Sequence, residues 1–412
     1  MNKRRLYILA LPLLVVIFFP RYAAAEDIRS YTLSDLMNIA VQKNPSVAAF
    51  KANLAAARGV VISAGAYPNP ELEFMKGRGE ALDGSESRNE YSISIGQPIE
   101  WPGKRSFRKK AAVAALEARQ YDSESFMLEL RYKVKAAFYA LLYNRKGLGV
   151  SAKNLETVNA LLNTVRTRVE AGESPGFELV KARVEALKSA KELKKARKKV
   201  VKAGILLNSL LGNALPDKFN IEGRFTIPQE KYDREELLST ALKNHPAIKQ
   251  RKKDLEALGY AFERERRSIL PDVTVKGYFD RELDKESYGM GVSMPLPLLY
   301  RRKGEIQTAR GELRRAEAEL LGAKIEISRA IEDAYSNLEI ALEETRVFEE
   351  GLLEQAQEAL EISEFSYREG KSGLLVYLDA QRIHREIQLD YNMARFELSL
   401  SVADIERLVG GI

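Results

Sequence analysis

Whatever chemistry this chain performs, it does so without thiols and nearly without imidazoles, since its 412 residues include no Cys and 2 His. Thiol catalysis, Cys-ligated zinc and disulfide scaffolds are excluded on that ground. His245 sits beside Pro246 at a helix start and His384 falls on a helical seam, far away in sequence, so their spacing makes no metal site. The carboxylate pairs Glu343-Glu344 and Glu349-Glu350 lie in strongly helical sequence. Neighbours on a helix do not face each other, so these pairs form no acid/base dyad. Gly370-Lys371-Ser372 looks like the end of a phosphate-binding loop, but Phe365 stands where the first Gly is needed. Gly103-Lys104-Arg105 fails in the same way, with Arg in place of the magnesium-binding hydroxyl. Neither an enzyme nor a cofactor is expected.

Charge is the remaining candidate for a function. The net charge is +7, and Lys191, Lys195, Lys198 and Lys202 form a basic stripe in the run 188–202. Four of the bases, Lys3, Arg4, Arg5 and Arg21, fall in the first 25 residues, which hold no acid, leaving 61 bases against 58 acids. A remainder so nearly balanced argues against a nucleic-acid partner. The stripe reads first as a solvated helix face or a contact with a neighbouring helix or partner.

Residues 1–25 carry a basic start, an apolar run Leu6–Phe19, the breaker Pro20 and small residues Ala23 and Ala25 before Glu26, the pattern of a secretory signal peptide. The run is short for a span of about 20 residues, so cleavage is expected and no lipidated Cys follows it. The exported chain is then written twice. Tyr31 to Pro45 recurs as Tyr232 to Pro246, Pro70 as Pro271, Tyr91 as Tyr288, Ala137–Tyr139 as Asp333–Tyr335, Gly172 as Gly370, and Leu211-Gly212 as Val409-Gly410. Two repeats, 26–230 and 231–412, are expected, each built as helix, paired strands, very long helix and medium helix.

The long helices are expected over about 103–171 and 303–369, the medium ones over 176–211 and 374–409. A helix of that first length spans on the order of 100 Å, longer than a compact soluble domain needs. Heptad seams run through Leu179, Ala186, Leu193, Val200 and Leu207, and through Tyr377, His384, Tyr391, Leu398 and Ile405. They predict antiparallel coiled coils turning at Ala171–Gly176 and Glu369–Gly373.

Between helices the period changes to 2, at about 71–99 and 272–297. Tyr91, Ile93 and Ile95 alternate with Ser92, Ser94 and Gly96; Tyr288, Met290 and Val292 alternate with Gly289, Gly291 and Ser293. Strands with one apolar and one polar face near Tyr67, Trp101 and Tyr300 fit a transmembrane barrel wall, the six apolar residues facing lipid. Four strands per chain cannot close a barrel. Eight strands from two chains or twelve from three can, and only the larger number leaves a wide lumen. A soluble coiled-coil protein with two surface hairpins is the alternative.

These residues resemble the TolC-like outer-membrane efflux family. The likeness spans the mature chain: the openings Asn44-Pro45 and Asn244-His245-Pro246, the segment Pro68–Leu72, the run Gln97–Arg105, and the Gly370…Leu378-Asp379-Ala380 tip. The Gln-Pro…Gly-Lys-Arg form is especially similar to the heavy-metal (CzcC-type) branch. The resemblance implies a mostly α fold with transmembrane β, in which tandem-duplicated coiled-coil helices form a trimeric α-barrel topped by a 12-stranded β-barrel. It implies a homotrimer in the outer membrane of a Gram-negative bacterium, in contact with outer-membrane lipid and reaching far into the periplasm. It also implies a periplasmic adaptor (a membrane fusion protein) and an inner-membrane RND pump as partners, in a tripartite system whose duct conducts passively, with heavy-metal cations as one cargo. Residues near the tip turns close such ducts: Glu178 and Asp379 match acidic gating positions, Tyr367 matches a tyrosine that ties the closed state, and Lys371 lies beside them. Val376 stands where the family carries a further acid. Gly172, Ser174, Gly370 and Ser372 mark the turns expected to meet the adaptor. The competing reading is a periplasmic coiled-coil adaptor or interaction protein that is no channel.

Overall fold

The computed structural model describes residues 29–226, 228 and 232–410. The signal-peptide reading of 1–25 therefore lies outside the described residues. The first half begins with a short strand β1 (Ser30–Thr32) and helices α1 (Leu33–Lys43) and α2 (Pro45–Gly65). Thr32 opens α1 with a capping box closed by Asp35, and Asn44 caps α2 by accepting from the Ser46 amide. The Tyr67-Pro68-Asn69-Pro70 run ends α2, and a hairpin follows, β2 (Glu71–Glu80) and β3 (Ser87–Ile99). Next come α3 (Lys104–Glu170), 67 residues without a break, α4 (Gly176–Leu210) and a short β4 (Asn220–Glu222).

The second half repeats the order with α5 (Arg234–Asn244), α6 (Pro246–Arg267), β5 (Val273–Arg281) and β6 (Glu286–Ser293). Strand β6 stops short of the expected end at 297 because Pro295 and Pro297 lack the amide hydrogen a ladder requires. The helix expected over about 303–369 is interrupted. It divides into α7 (Lys303–Val347) and α8 (Leu353–Arg368) at one π-helical turn, Phe348–Leu352, where Gly351 takes φ 151°. Only glycine holds that backbone without strain, which is why one repeat kinks where the other runs straight. Helix α9 (Leu374–Leu408) completes the chain.

The two hairpins join into one antiparallel sheet ordered β2-β3-β5-β6. The helices beside it follow the same sequence, α2 on α3, α3 on α6, α6 on α7. Toward the far end α4 packs on α3, α3 on α9 and α9 on α8. The core is split into three clusters along this length. One surrounds Leu36, Phe138, Leu141 and Leu207, a second Ile331, Leu338, Leu398 and Ile405, and a third, at the tip, Leu161, Val165, Tyr367 and Tyr377. Matching positions do matching work: Leu36 and Ala40 are buried in the first repeat, as Leu237 and Ala241 are in the second. The pairing of β1 with β4 in parallel was not foreseen; three-residue strands are too short to show a period.

Candidate functional site

Register decides which side chains share a face of the sheet. Phe74 stands opposite Ile93, Ile93 opposite Phe279, and Phe279 opposite Tyr288. One step along, Leu72, Ile95, Gly277 and Met290 form a second row, and Val275 and Val292 lie in a third. Side chains alternate along a strand, so these rows and Tyr91 occupy one face, which gathers all six residues expected to face lipid. Tyr288, Met290 and Val292 are 86%, 83% and 72% exposed, so nothing within the chain covers this apolar surface.

The opposite face is mostly polar, with Met75 and Tyr278 as exceptions. Ser94 Oγ lies 3.3 Å from Glu73 Oε2, whose carboxylate stands 3.7 Å from Lys276 Nζ, and Ser92 donates to Asp280. Glycines 77, 79, 96, 289 and 291 alternate with these groups. The sheet is open, with β2 and β6 at its edges.

Charged groups fix the sheet to the helices. Asp272 accepts from the Trp101 amide at 2.7 Å and from Lys104 Nζ at 2.8 Å, binding the start of α3 to the loop before β5. Arg302, at the start of α7, pairs with Glu265 of α6 at 2.6 Å. Arg105 places its guanidinium 3.8 Å from the Tyr67 ring centroid, and a cleft of about 480 Å³ opens beside them against Pro98 and Trp101. Tyr67 and Tyr300 remain largely exposed at this junction, an aromatic rim next to basic residues.

The other end is a pair of matched turns. Gly172 and Gly370 take φ 76° and 69°, and the amides of Glu173 and Lys371 each donate back to the last helical turn, at 2.8 Å to Arg168 O and Ser366 O. Arg168 crosses between the turns, donating to Tyr367 O at 3.2 Å and Arg368 O at 2.8 Å, so both turns lie at one level. Tyr367 is buried and stacks on Tyr377 with ring centroids 5.8 Å apart. Burial raises its hydroxyl pKa, and the Glu178 carboxylate acts in the same direction. The Tyr367 Oη and Ser372 Oγ atoms are buried with no hydrogen-bond partner among the described residues.

Thus the Glu178 carboxylate is felt electrostatically at Tyr367. Lys371 instead lays its ammonium 5.4 Å from the Phe365 ring centroid. Asp379 is held on its own helix by Arg382 at 2.6 Å, which also reaches Glu386 at 3.2 Å. Arg168 had no place among the candidates, although its position three residues before the turn in a helix C-terminus was a readable signal.

The two histidines serve the fold. His245 is buried, its Nδ1 accepts from the Ala247 amide at 3.2 Å to cap α6, and burial, with Arg407 adding, lowers its pKa to about 4. His384 meets Gln388 at 3.1 Å. Among the described residues no group of three or more His, Asp and Glu side chains is placed to hold a metal ion.

A two-faced open sheet on a long helical shaft is the architecture of a membrane channel subunit. The profile of the family described as outer membrane efflux protein matches residues 36–213 and 237–411, and the chain belongs to that family. It is an efflux channel of the Gram-negative outer membrane, its helices extending into the periplasm. The cobalt-zinc-cadmium resistance protein CzcC of Cupriavidus metallidurans is 26% identical, over 95% of this chain and 92% of its own. The pyoverdine export outer membrane protein OpmQ of Pseudomonas putida is also 26% identical, over 92% and 86%. Among solved structures, a membrane protein from Pseudomonas aeruginosa superposes with TM-score 0.81 at 18% identity, covering 93% of this chain and 91% of that one.

Proposed function

We propose that three copies of the chain close a 12-stranded barrel and a helical tube, forming the exit duct of a tripartite efflux system. A periplasmic adaptor binds the tip turns at Gly172, Ser174, Gly370 and Ser372, and an inner-membrane RND pump supplies the energy. The observation that carries the reading is the register of the sheet. It collects Tyr91, Ile93, Ile95, Tyr288, Met290 and Val292, with Phe74 and Phe279, on one face and Glu73, Asp280, Ser92, Ser94 and most of the strand glycines on the other, and leaves β2 and β6 unpaired at the edges. In lipid an unpaired edge costs several kcal/mol per backbone group, so β6 of one copy must meet β2 of the next.

At the tip, Asp379 from three copies forms a cation-attracting constriction, and Glu178, Tyr367 and Lys371 latch the closed mouth. Within one copy Lys371 rests on Phe365, so its part in the latch lies across the boundary between copies. The cargo is a divalent metal cation. This rests on the likeness to CzcC over nearly the whole of both chains and on the Gln97–Arg105 segment.

The test is fractionation. The duct should sediment with the outer membrane as an SDS-resistant or crosslinkable trimer. A protein that washes off at high salt or follows the inner membrane would be an adaptor instead. Deletion of the gene should sensitise cells to cobalt, zinc or cadmium; unchanged tolerance to all three would reject the cargo assignment while leaving the duct in place.

A further inference from the structure

Helix α4 has two seams. Ala182, Ser189, Ala203 and Leu207 are buried against α3. On nearly the opposite side Phe177, Val180, Val184, Leu187, Lys191, Lys194, Lys198, Val201 and Ile205 follow one another at alternating steps of three and four, and all nine are exposed. Such a straight seam is built for a second helix, and within the chain α4 packs on α3 alone to any substantial extent. Its order is apolar, basic, apolar.

The opposite edge of the same helical layer, α7 and α8, carries a seam of the same spacing through Ile340, Glu344, Val347, Gly351, Glu354, Glu358, Glu361 and Phe365. Apolar Ile340 and Phe365 bound it, and between them the acids Glu344, Glu354, Glu358 and Glu361 are interrupted only by Val347 and Gly351. Heights can be compared because Arg168 ties the two tip turns to one level. At about 1.5 Å per residue, Lys191 to Lys198 stand roughly 22 to 33 Å above the tip, and Glu354 to Glu344 roughly 21 to 36 Å. Val180 comes level with Phe365, and Ile205 with Ile340. Lower down, Glu361 and Glu358 come level with Lys181 and Lys188, on the flank of the α4 seam. Lys194, Lys198, Glu344, Glu354 and Glu358 form no salt bridge among the described residues.

We infer that the α4 seam of one copy docks on the α7–α8 seam of a second copy, the lysines of the first meeting the glutamates of the second. The inference rests on the ring proposed above and assigns its helical interface. A second copy is the occupant because one chain carries both halves, on opposite edges, at equal heights and with opposite charge. A head-to-tail contact of this kind builds a ring where its rotation closes, as the barrel proposed above requires. The kink at Gly351 falls within the acidic stretch, where it sets the direction in which α8 runs beside the neighbouring α4.

The chain has no Cys, so paired substitutions report on this contact without background. Lys191→Cys with Glu354→Cys, treated in intact membranes with a short thiol crosslinker, should give dimer and trimer bands. Lys191→Cys with Ile340→Cys, about 20 Å out of level at the helical rise, should not. Independently, the mass of the detergent-solubilised assembly reports the ring. A trimeric mass with no crosslink from the matched pair overturns the seam and leaves the ring; a monomeric mass overturns both. Capture of a protein of another size by Lys191→Cys alone, with the matched pair silent, would give the seam to a different partner and also overturn the inference. As a second measurement, Lys191→Glu, Lys194→Glu and Lys198→Glu together should abolish most of the SDS-resistant trimer, and adding Glu344→Lys and Glu354→Lys should restore it. Failure of the charge swap to restore the trimer counts against the pairing.

Discussion

Replacing Ile93 with arginine places a charge in the middle of the apolar face. Ile93 stands between Phe74 and Phe279, with Tyr288 next in line, and no acidic side chain shares that row. A guanidinium on the lipid face near the bilayer midplane costs about 2–4 kcal/mol. At 1.4 kcal/mol per factor of ten, that shifts insertion by roughly 30- to 700-fold for one copy. In a three-copy ring the penalty is paid at three equivalent positions. Ser94→Arg, one residue further, meets the opposite environment: Ser94 Oγ already lies 3.3 Å from the Glu73 carboxylate, so the new charge finds a partner on a wetted face. Both variants should be expressed at equal level and followed as the fraction of protein in the outer membrane and in SDS-resistant form. Ile93→Arg should lose most of both while Ser94→Arg keeps them. Equal tolerance, or the reverse order, would show that the faces of the sheet are assigned wrongly and would remove the argument for a lipid-embedded barrel.

Three further outcomes are expected. Asp379→Ala should weaken divalent-cation block and lower cation conductance in single-channel recordings; unchanged block and conductance would dismiss the proposed constriction. Asp272→Ala leaves the buried Lys104 ammonium and the Trp101 amide without their acceptor, a loss of about 1–3 kcal/mol discounted for the partial exposure of Asp272, read as a lower melting temperature in detergent. His245 is neutral when folded because burial lowers its pKa from about 6.5 to about 4, so the unfolded chain takes up a proton first as pH falls. The stability it contributes is complete above about pH 6.5 and lost progressively down to about pH 4, and His245→Asn, which copies the Asn44 cap of the first repeat, should flatten the melting temperature across that window.

Periodicity and punctuation were enough to locate most of the elements. Asn44-Pro45 and His245-Pro246 open helices because the cap accepts an amide and proline needs none, and Pro70 and Pro271 mark the approaches to the strands. The alternation Tyr91, Ile93, Ile95 placed those residues on one face before any register was known. What stayed hidden depends on long-range partners or single backbone angles. The joining of β3 to β5 brings together residues 91–99 and 273–281, and nothing local encodes it. The break at Gly351 looked like one more helix residue, since an isolated glycine in a helical run is usually tolerated. Candidate tip residues came from likeness to a family, and their surroundings separate them: Tyr367 feels the Glu178 charge, whereas Lys371 lies on Phe365 and Asp379 on Arg382. The exposed seam of α4 was legible all along, but its lysines drew attention as a charge run while the apolar residues at both ends gave it meaning.

The duplication places a condition on the ring. In the sheet the order is β2-β3-β5-β6, and in the adjoining helices it is α2-α3-α6-α7, so each layer ends on the same two flanks of the chain. Helix α2, rich in Ala and Gly, leaves Val60 and Ile62 56% and 76% exposed, and α7 leaves Leu321 and Ile325 60% and 63% exposed at the other flank. Small residues permit close helix approach, and the larger apolar groups give that approach a driving force. In the proposed ring, one rotation relating neighbouring copies has to bring β6 to β2, α7 to α2 and α8 to α4 at once. A change at any of these three levels that shifts the rotation misaligns the other two, so strand-edge, upper-helix and lower-helix substitutions should be coupled, not additive, in trimer stability. Combining a mild β6 edge substitution with Lys194→Glu tests this: a double variant whose loss equals the sum of the singles would mean that the layers close independently.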